Sequence, residues 1–169
     1  SAYFNLGVVL HDLGQLEDAV CNYQQSLVIE SRNEITHNNL GNVLRILGRM
    51  DEAIDSYQRA LALKPNYPLA HYNLGLTLQD LGRLDDAVHS LEKTIGLKPD
   101  YSDAYNILGN VYKSLGRSED AVENYQKALG YDGAPPDTSA SLLECIYSRE
   151  DKDGFYQELE GIAAHDKTN

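Results

Sequence analysis

Leu-Gly pairs recur every 34 residues along this chain, at Leu6-Gly7, Leu40-Gly41, Leu74-Gly75 and Leu108-Gly109. A second Leu-Gly column runs in step with the first, at Leu13-Gly14, Leu47-Gly48, Leu81-Gly82 and Leu115-Gly116. Alanine follows at Ala19, Ala53, Ala87 and Ala121, then Tyr23, Tyr57, Leu91 and Tyr125, then the small residues Ser26, Ala60, Thr94 and Ala128. A fixed period of this size marks a repeat array. Each unit is one supersecondary element that cannot bury its apolar face without a neighbour.

Within a unit the apolar positions fall at three- and four-residue spacing, which predicts two amphipathic helices of about 13 residues each. The first helix ends at the second Leu-Gly pair, where glycine takes the left-handed conformation without a Cβ penalty. The second helix opens on acids, Glu17-Asp18, Asp51-Glu52, Asp85-Asp86 and Glu119-Asp120, which complement the positive end of the helix dipole. Lys64-Pro65 and Lys98-Pro99 end it. The Gly and Ala columns let paired helices approach closely, with Tyr or Leu filling the space beside them. This pattern, agreeing in some eight columns over residues 1–135, resembles the tetratricopeptide repeat (TPR) family. The resemblance implies an all-α fold, a right-handed superhelical solenoid of antiparallel helix pairs. Four repeats are expected at 1–33, 34–67, 68–101 and 102–135. Residues 136–169 lose both Leu-Gly columns and read as a degenerate fifth repeat or capping helix pair, with helices at 138–148 and 153–165. This tail holds 8 acids against 3 bases, and a polar end is what a stacked array needs.

Charge narrows the partners. The 169 residues carry 26 acids and 14 Lys+Arg, a net charge of -12, which argues against nucleic acid and against an anionic membrane surface. No apolar run is long enough to span a bilayer. Cys21 and Cys145 make no disulfide framework, which favours an intracellular, reducing setting, cytoplasmic or nuclear. The start has no signal-peptide pattern, and the missing initiating Met reads as a fragment of a longer protein.

No catalytic motif is present: no G-x-S-x-G, no P-loop, no H-E-x-x-H, no C-x-x-C. The paired carboxylates recur at one place in four repeats and are read as helix-start residues. His37 and His71 share a column with Tyr3 and Tyr105 and are expected to pack between helices. No cofactor, metal site or catalytic residue is therefore expected, and the partners should be proteins or extended peptides.

The informative polar residues are asparagines. Asn5, Asn39 and Asn73 occupy one column of the first helix, which Ile107 breaks, and Asn42 and Asn110 form a partial column one turn later. The family resemblance places these on the concave face. An amide offers donor and acceptor together, so it can pair with peptide backbone of any sequence. Asn is also read as a residue that stabilises contacts between repeats, and both readings stand. Phe4, Asn38, Tyr72 and Asn106 sit beside the ladder, with His11, Arg45, Gln79 and Lys113 a turn further on. Chaperone-tail-binding repeat proteins grip a carboxylate with inner-face cations, and the column Phe4, Asn38, Tyr72 and Asn106 supplies none.

An Asn-bearing array of this kind is similar to the N-terminal half of O-linked N-acetylglucosamine (O-GlcNAc) transferases. Leu142 to Tyr147 and Phe155 to Leu159 resemble the helix pair that closes the array there. That resemblance implies a substrate-recruiting arm of a protein glycosyltransferase. The alternative is a stand-alone TPR scaffold, adaptor or co-chaperone.

Overall fold

A computed structural model describes residues 1–147. Among these residues there are nine helices and no strand: α1 (Ala2–Asp12), α2 (Leu16–Ile29), α3 (Glu34–Ile46), α4 (Met50–Leu63), α5 (Pro68–Asp80), α6 (Leu84–Leu97), α7 (Ser102–Ser114), α8 (Ser118–Leu129) and α9 (Thr138–Tyr147). The fold is the all-α, TPR-type solenoid class. α9 matches the helix expected at 138–148, whereas the one expected at 153–165, and Phe155 to Leu159 with it, lie outside the described residues.

The chain divides into two compact units. In the first, Ser1–Leu97, α1 pairs with α2, α3 with α4 and α5 with α6; α2 packs on α3, α4 on α5, and the first helices α1, α3 and α5 lie side by side. In the second, which begins at Lys98, α7 pairs with α8, and α9 packs on both.

Local chemistry sets each turn. The amide N–H of Gly14 donates to His11 O at 2.9 Å and that of Gln15 to Leu10 O at 2.8 Å, the double bond of a Schellman cap. The same pair recurs after α3, α5 and α7, with Gly48, Gly82 and Gly116 at φ of 75, 72 and 73°. The next helix then opens on the predicted acids, and Arg49, Arg83 and Arg117 each pair with an acid three residues on, at 2.6 to 2.7 Å. These pairs are exposed and contribute little to stability.

The core of each of the four pairs α1–α2 to α7–α8 is a large side chain in a glycine notch. A Cβ added at Gly41 would lie 2.6 Å from Tyr57 Cε1, and one at Gly109 would lie 2.6 Å from Tyr125 Cε1. Gly7 meets Tyr23 and Gly75 meets Leu91 in the same way, at 2.8 Å. All four large side chains are fully buried. The close approach predicted from the Gly column therefore has one partner per repeat, sixteen residues on.

Candidate peptide-binding face

The residues singled out on the first helices separate into groups with different fates. Asn38 is fully buried, and its Oδ1 accepts from Nδ2 of buried Asn73 at 3.1 Å, joining α3 to α5. Asn106, also buried, accepts from Thr138 Oγ1 at 3.0 Å and joins α7 to α9. These three amides bind one helix pair to the next. The stabilising role is thus visible for Asn38, Asn73 and Asn106.

Asn42 and Asn110 are half-buried and face inward to the paired helix. Asn42 Oδ1 accepts from the Tyr57 hydroxyl at 2.9 Å, and Asn110 Oδ1 from that of Tyr125 at 2.8 Å. The repeats vary in concert here. Where Tyr gives way to Leu91, the matching position is Leu76, so donor and acceptor disappear together. Sequence reading missed this pairing, though comparing the two columns would have found it. The first repeat breaks the rule, with Val8 opposite Tyr23. Its buried hydroxyl has no hydrogen-bond partner, although the Asn39 amide lies near it. Burial pushes all three phenols up, Tyr57 to about 12.

This contrast gives a sharp expectation. Tyr57→Phe leaves the Asn42 carbonyl without its donor and should cost about 1 kcal/mol, whereas Tyr23→Phe removes an unsatisfied hydroxyl and should be neutral or stabilising. Urea-denaturation midpoints of the two variants check the difference. Equal losses would show that the hydroxyls are equivalent.

The cations are also engaged. Arg45 Nη1 lies 3.5 Å from Asp80 Oδ2 on α5, and Lys113 Nζ lies 2.6 Å from Glu144 Oε2 on α9. Both bridge neighbouring helix pairs, which leaves them poorly suited to grip a free carboxylate. His37 and His71 do pack as expected, their Nε2–H donating to Ser31 O at 3.1 Å and Pro65 O at 2.9 Å. Desolvation lowers both pKa values.

Part of the predicted face of the first unit is solvent-accessible and forms an outer tier. Asn5 is exposed, Asn39 and Tyr72 are half-buried, and Phe4 is half-buried against the Tyr23 ring at 6.1 Å between centroids. These sit on α1, α3 and α5, and Asn39 and Tyr72 each adjoin a member of the Asn38–Asn73 pair in sequence. On the other side of α3, a groove of about 670 Å³ runs between α2 and α4, lined by Leu27, Val28, Leu40, Leu44, Arg59 and Leu63 among others. Among the described residues, no group of His, Cys, Asp or Glu could hold a metal ion, and no helix is long and apolar enough to cross a membrane. Cys21 and Cys145 are both free thiols.

Comparison with known proteins agrees with this architecture. A family profile described as "TPR repeat" matches residues 7–44 and 41–82, and one described as "Tetratricopeptide repeat" matches residues 72–140. No curated protein sequence matches the chain. Among solved structures, a crystal structure of MamA is 33% identical with a TM-score of 0.74, covering 76% of this chain and 75% of that one. MamA from Desulfovibrio magneticus RS-1 is 21% identical with a TM-score of 0.85, covering 99% and 95%. YrrB, described as a TPR protein with an unusual peptide-binding site, is 21% identical with a TM-score of 0.78, covering 94% and 81%. The last two likenesses show the fold alone.

Proposed function

Because the chain belongs to the tetratricopeptide repeat family, we propose that it is an adaptor module that binds extended polypeptide along the first helices of its pairs. The observation that carries this reading is the division of the asparagines into two tiers. Asn38 and Asn73 hold α3 and α5 in register, so Asn39 is presented to a ligand at a fixed spacing from Tyr72, and Asn5 continues the Asn39 column onto α1. Asn5 makes no side-chain hydrogen bond among the described residues, and Asn39 accepts a long one, 3.4 Å, from Asn38 Nδ2 and lies near the Tyr23 hydroxyl. Their remaining donors and acceptors suit a peptide backbone, while Phe4 and Tyr72 offer apolar flanks to its side chains. In the second unit the Asn5 column holds Ile107, and Asn110 and Lys113, further along α7, are proposed as secondary contacts that a ligand would share with Tyr125 and Glu144.

The narrower reading, a substrate-recruiting arm of an O-GlcNAc transferase-like enzyme, uses the same face and adds a catalytic partner. Neither the family match nor the MamA and YrrB structures supports that addition, and a scaffold or adaptor fits them equally well or better. No catalytic family is matched. A co-chaperone role is disfavoured by the engagement of Arg45 and Lys113 with acids.

A fluorescence-anisotropy screen against a library of labelled ten-residue peptides tests the adaptor reading. Asn5→Ala/Asn39→Ala should weaken the best binder by roughly tenfold, the loss of about one or two net hydrogen bonds. Unchanged affinity in that double variant would remove the outer tier from the mechanism.

A further inference from the structure

Two histidines tie down the turns that connect successive helix pairs of the first unit. His37, near the start of α3, is only 7% exposed, and its Nε2–H reaches Ser31 O in the α2–α3 turn. His71, one repeat later on α5, is half-buried, and its Nε2–H reaches Pro65 O in the α4–α5 turn. A carbonyl can only accept, so the ring proton sits on Nε2 and Nδ1 is left as an acceptor. At His37 that Nδ1 is buried and has no hydrogen-bond partner among the described residues. A further proton could bind only there. It would create a buried donor without an acceptor, on a ring that had become charged.

Burial is the largest influence against a charged ring at both sites; the bond to the turn carbonyl favours the charge, and nearby cations oppose it. For His37 the cation is Arg59 of α4, and Glu52, already held by Arg49, and Asp55 line the same groove. From α2 come Gln24, Leu27 and Val28, none of them charged, while Glu30 and Arg32 flank Ser31 in the turn. Of the flanking first helices, α1 bears Tyr3, His11 and Asp12, and α5 bears His71, Tyr72 and Asp80, the last paired with Arg45. For His71 the opposing groups are Lys93 and His89 of α6. There α4 supplies the uncharged Gln58, Leu61 and Ala62 at the columns of Gln24, Leu27 and Val28, and α3 bears Glu34, His37 and Arg45. Lys64, beside Pro65, is engaged with Glu34 and the Tyr67 ring.

We propose that His37, seconded by His71, is an acid-sensitive latch on these turns, holding the joint between helix pairs while the ring is uncharged and letting it open when Nδ1 takes a proton. A charged ring regains its solvation by leaving its buried site, and the contact with the turn leaves with it. Position confines the device. The same column holds Tyr3 in α1 and Tyr105 in α7, so both histidine joints fall within the first unit. Linkage gives the direction. The folded rings titrate below the ordinary value of about 6.5, so the stability they contribute is complete above about pH 6.5 and is lost as pH falls through the folded value. Carboxylates stay largely charged down to about pH 5.5, which leaves this window to imidazoles and the terminal amine.

Urea denaturation followed by circular dichroism at about pH 7.5 and about pH 5.5 tests the latch. The folding equilibrium constant of the wild-type chain should fall over this interval by up to about tenfold for each ring, the ceiling set by an ordinary histidine in the unfolded chain. His37→Gln/His71→Gln keeps a side-chain donor at each site and removes the titrating ring, so it should lose that part of the pH dependence. Groups common to both chains cancel from the comparison. Arg59→Gln, at an exposed position, should shrink the acid loss while leaving both histidines in place. Hydrogen-exchange protection factors of the wild-type chain supply a reading that needs no variant. Those of α3 should fall at the lower pH relative to those of α7, where the column holds Tyr105. The same pH dependence in the wild-type chain and the double variant, or protection of α3 that follows α7 at both pH values, overturns the proposal.

Discussion

Replacing Gly41 by alanine is expected to destabilise the first unit by about 2 kcal/mol, although alanine is the better helix former. The added methyl would sit 2.6 Å from Cε1 and 2.8 Å from Cδ1 of Tyr57, a ring with no exposed surface and its hydroxyl tied to Asn42. The ring cannot swing away without breaking that bond. Overpacking strain thus exceeds the gain in helix propensity. The control has the opposite sign. Gly96 lies in α6 with nothing within 4 Å of an added Cβ, and its backbone is not left-handed. Gly96→Ala should therefore stabilise by about 0.5 to 1 kcal/mol. Thermal denaturation followed at 222 nm distinguishes the two. If both glycines respond alike, the notch at Gly41 does not control packing.

The second large effect is expected at the Asn38–Asn73 bond. Asn38→Ala strands the Nδ2 of buried Asn73 and should cost about 2 to 3 kcal/mol, the penalty of an unsatisfied buried amide plus the lost volume. Asn73→Ala strands Asn38 Oδ1 in turn and should cost a similar amount. The two losses are coupled, since either substitution breaks the same bond. The double variant should therefore fall short of the summed singles by at least about 1 kcal/mol. Strict additivity in a urea-denaturation cycle would show that the bond carries no weight.

These two sites also show how much the sequence discloses. The helix pairs, their turns and the Gly–Tyr notches are legible because each depends on a column repeated several times. A left-handed glycine after a leucine means the same thing at residues 14, 48, 82 and 116. Asparagine does not carry its fate so plainly. Asn38 and Asn39 are neighbours with the same side chain, yet a 100° step around the helix buries the first and leaves the second half open. Asn73 shares a column with Asn5 and Asn39, but it meets Asn38 because residue 38 of its neighbour is Asn rather than Phe or Tyr. That contact spans two columns and two repeats, and reading one column at a time cannot reveal it. The Asn42–Tyr57 and Asn110–Tyr125 pairs were legible in principle, since Leu76 and Leu91 replace both partners at once. Arg45 and Lys113 looked like free cations because their acids, Asp80 and Glu144, belong to the next helix pair at unequal separations of 35 and 31 residues.

Mapping a bound peptide shows whether the outer tier makes the contact. Backbone amide chemical shifts of the labelled chain can be followed while the tightest peptide of the ten-residue library is added. Changes are expected at Asn5, Asn39 and Tyr72 and their neighbours on α1, α3 and α5. Changes confined to the groove between α2 and α4, at Leu27, Val28 and Leu63, would contradict this expectation and move the binding site to the second helices.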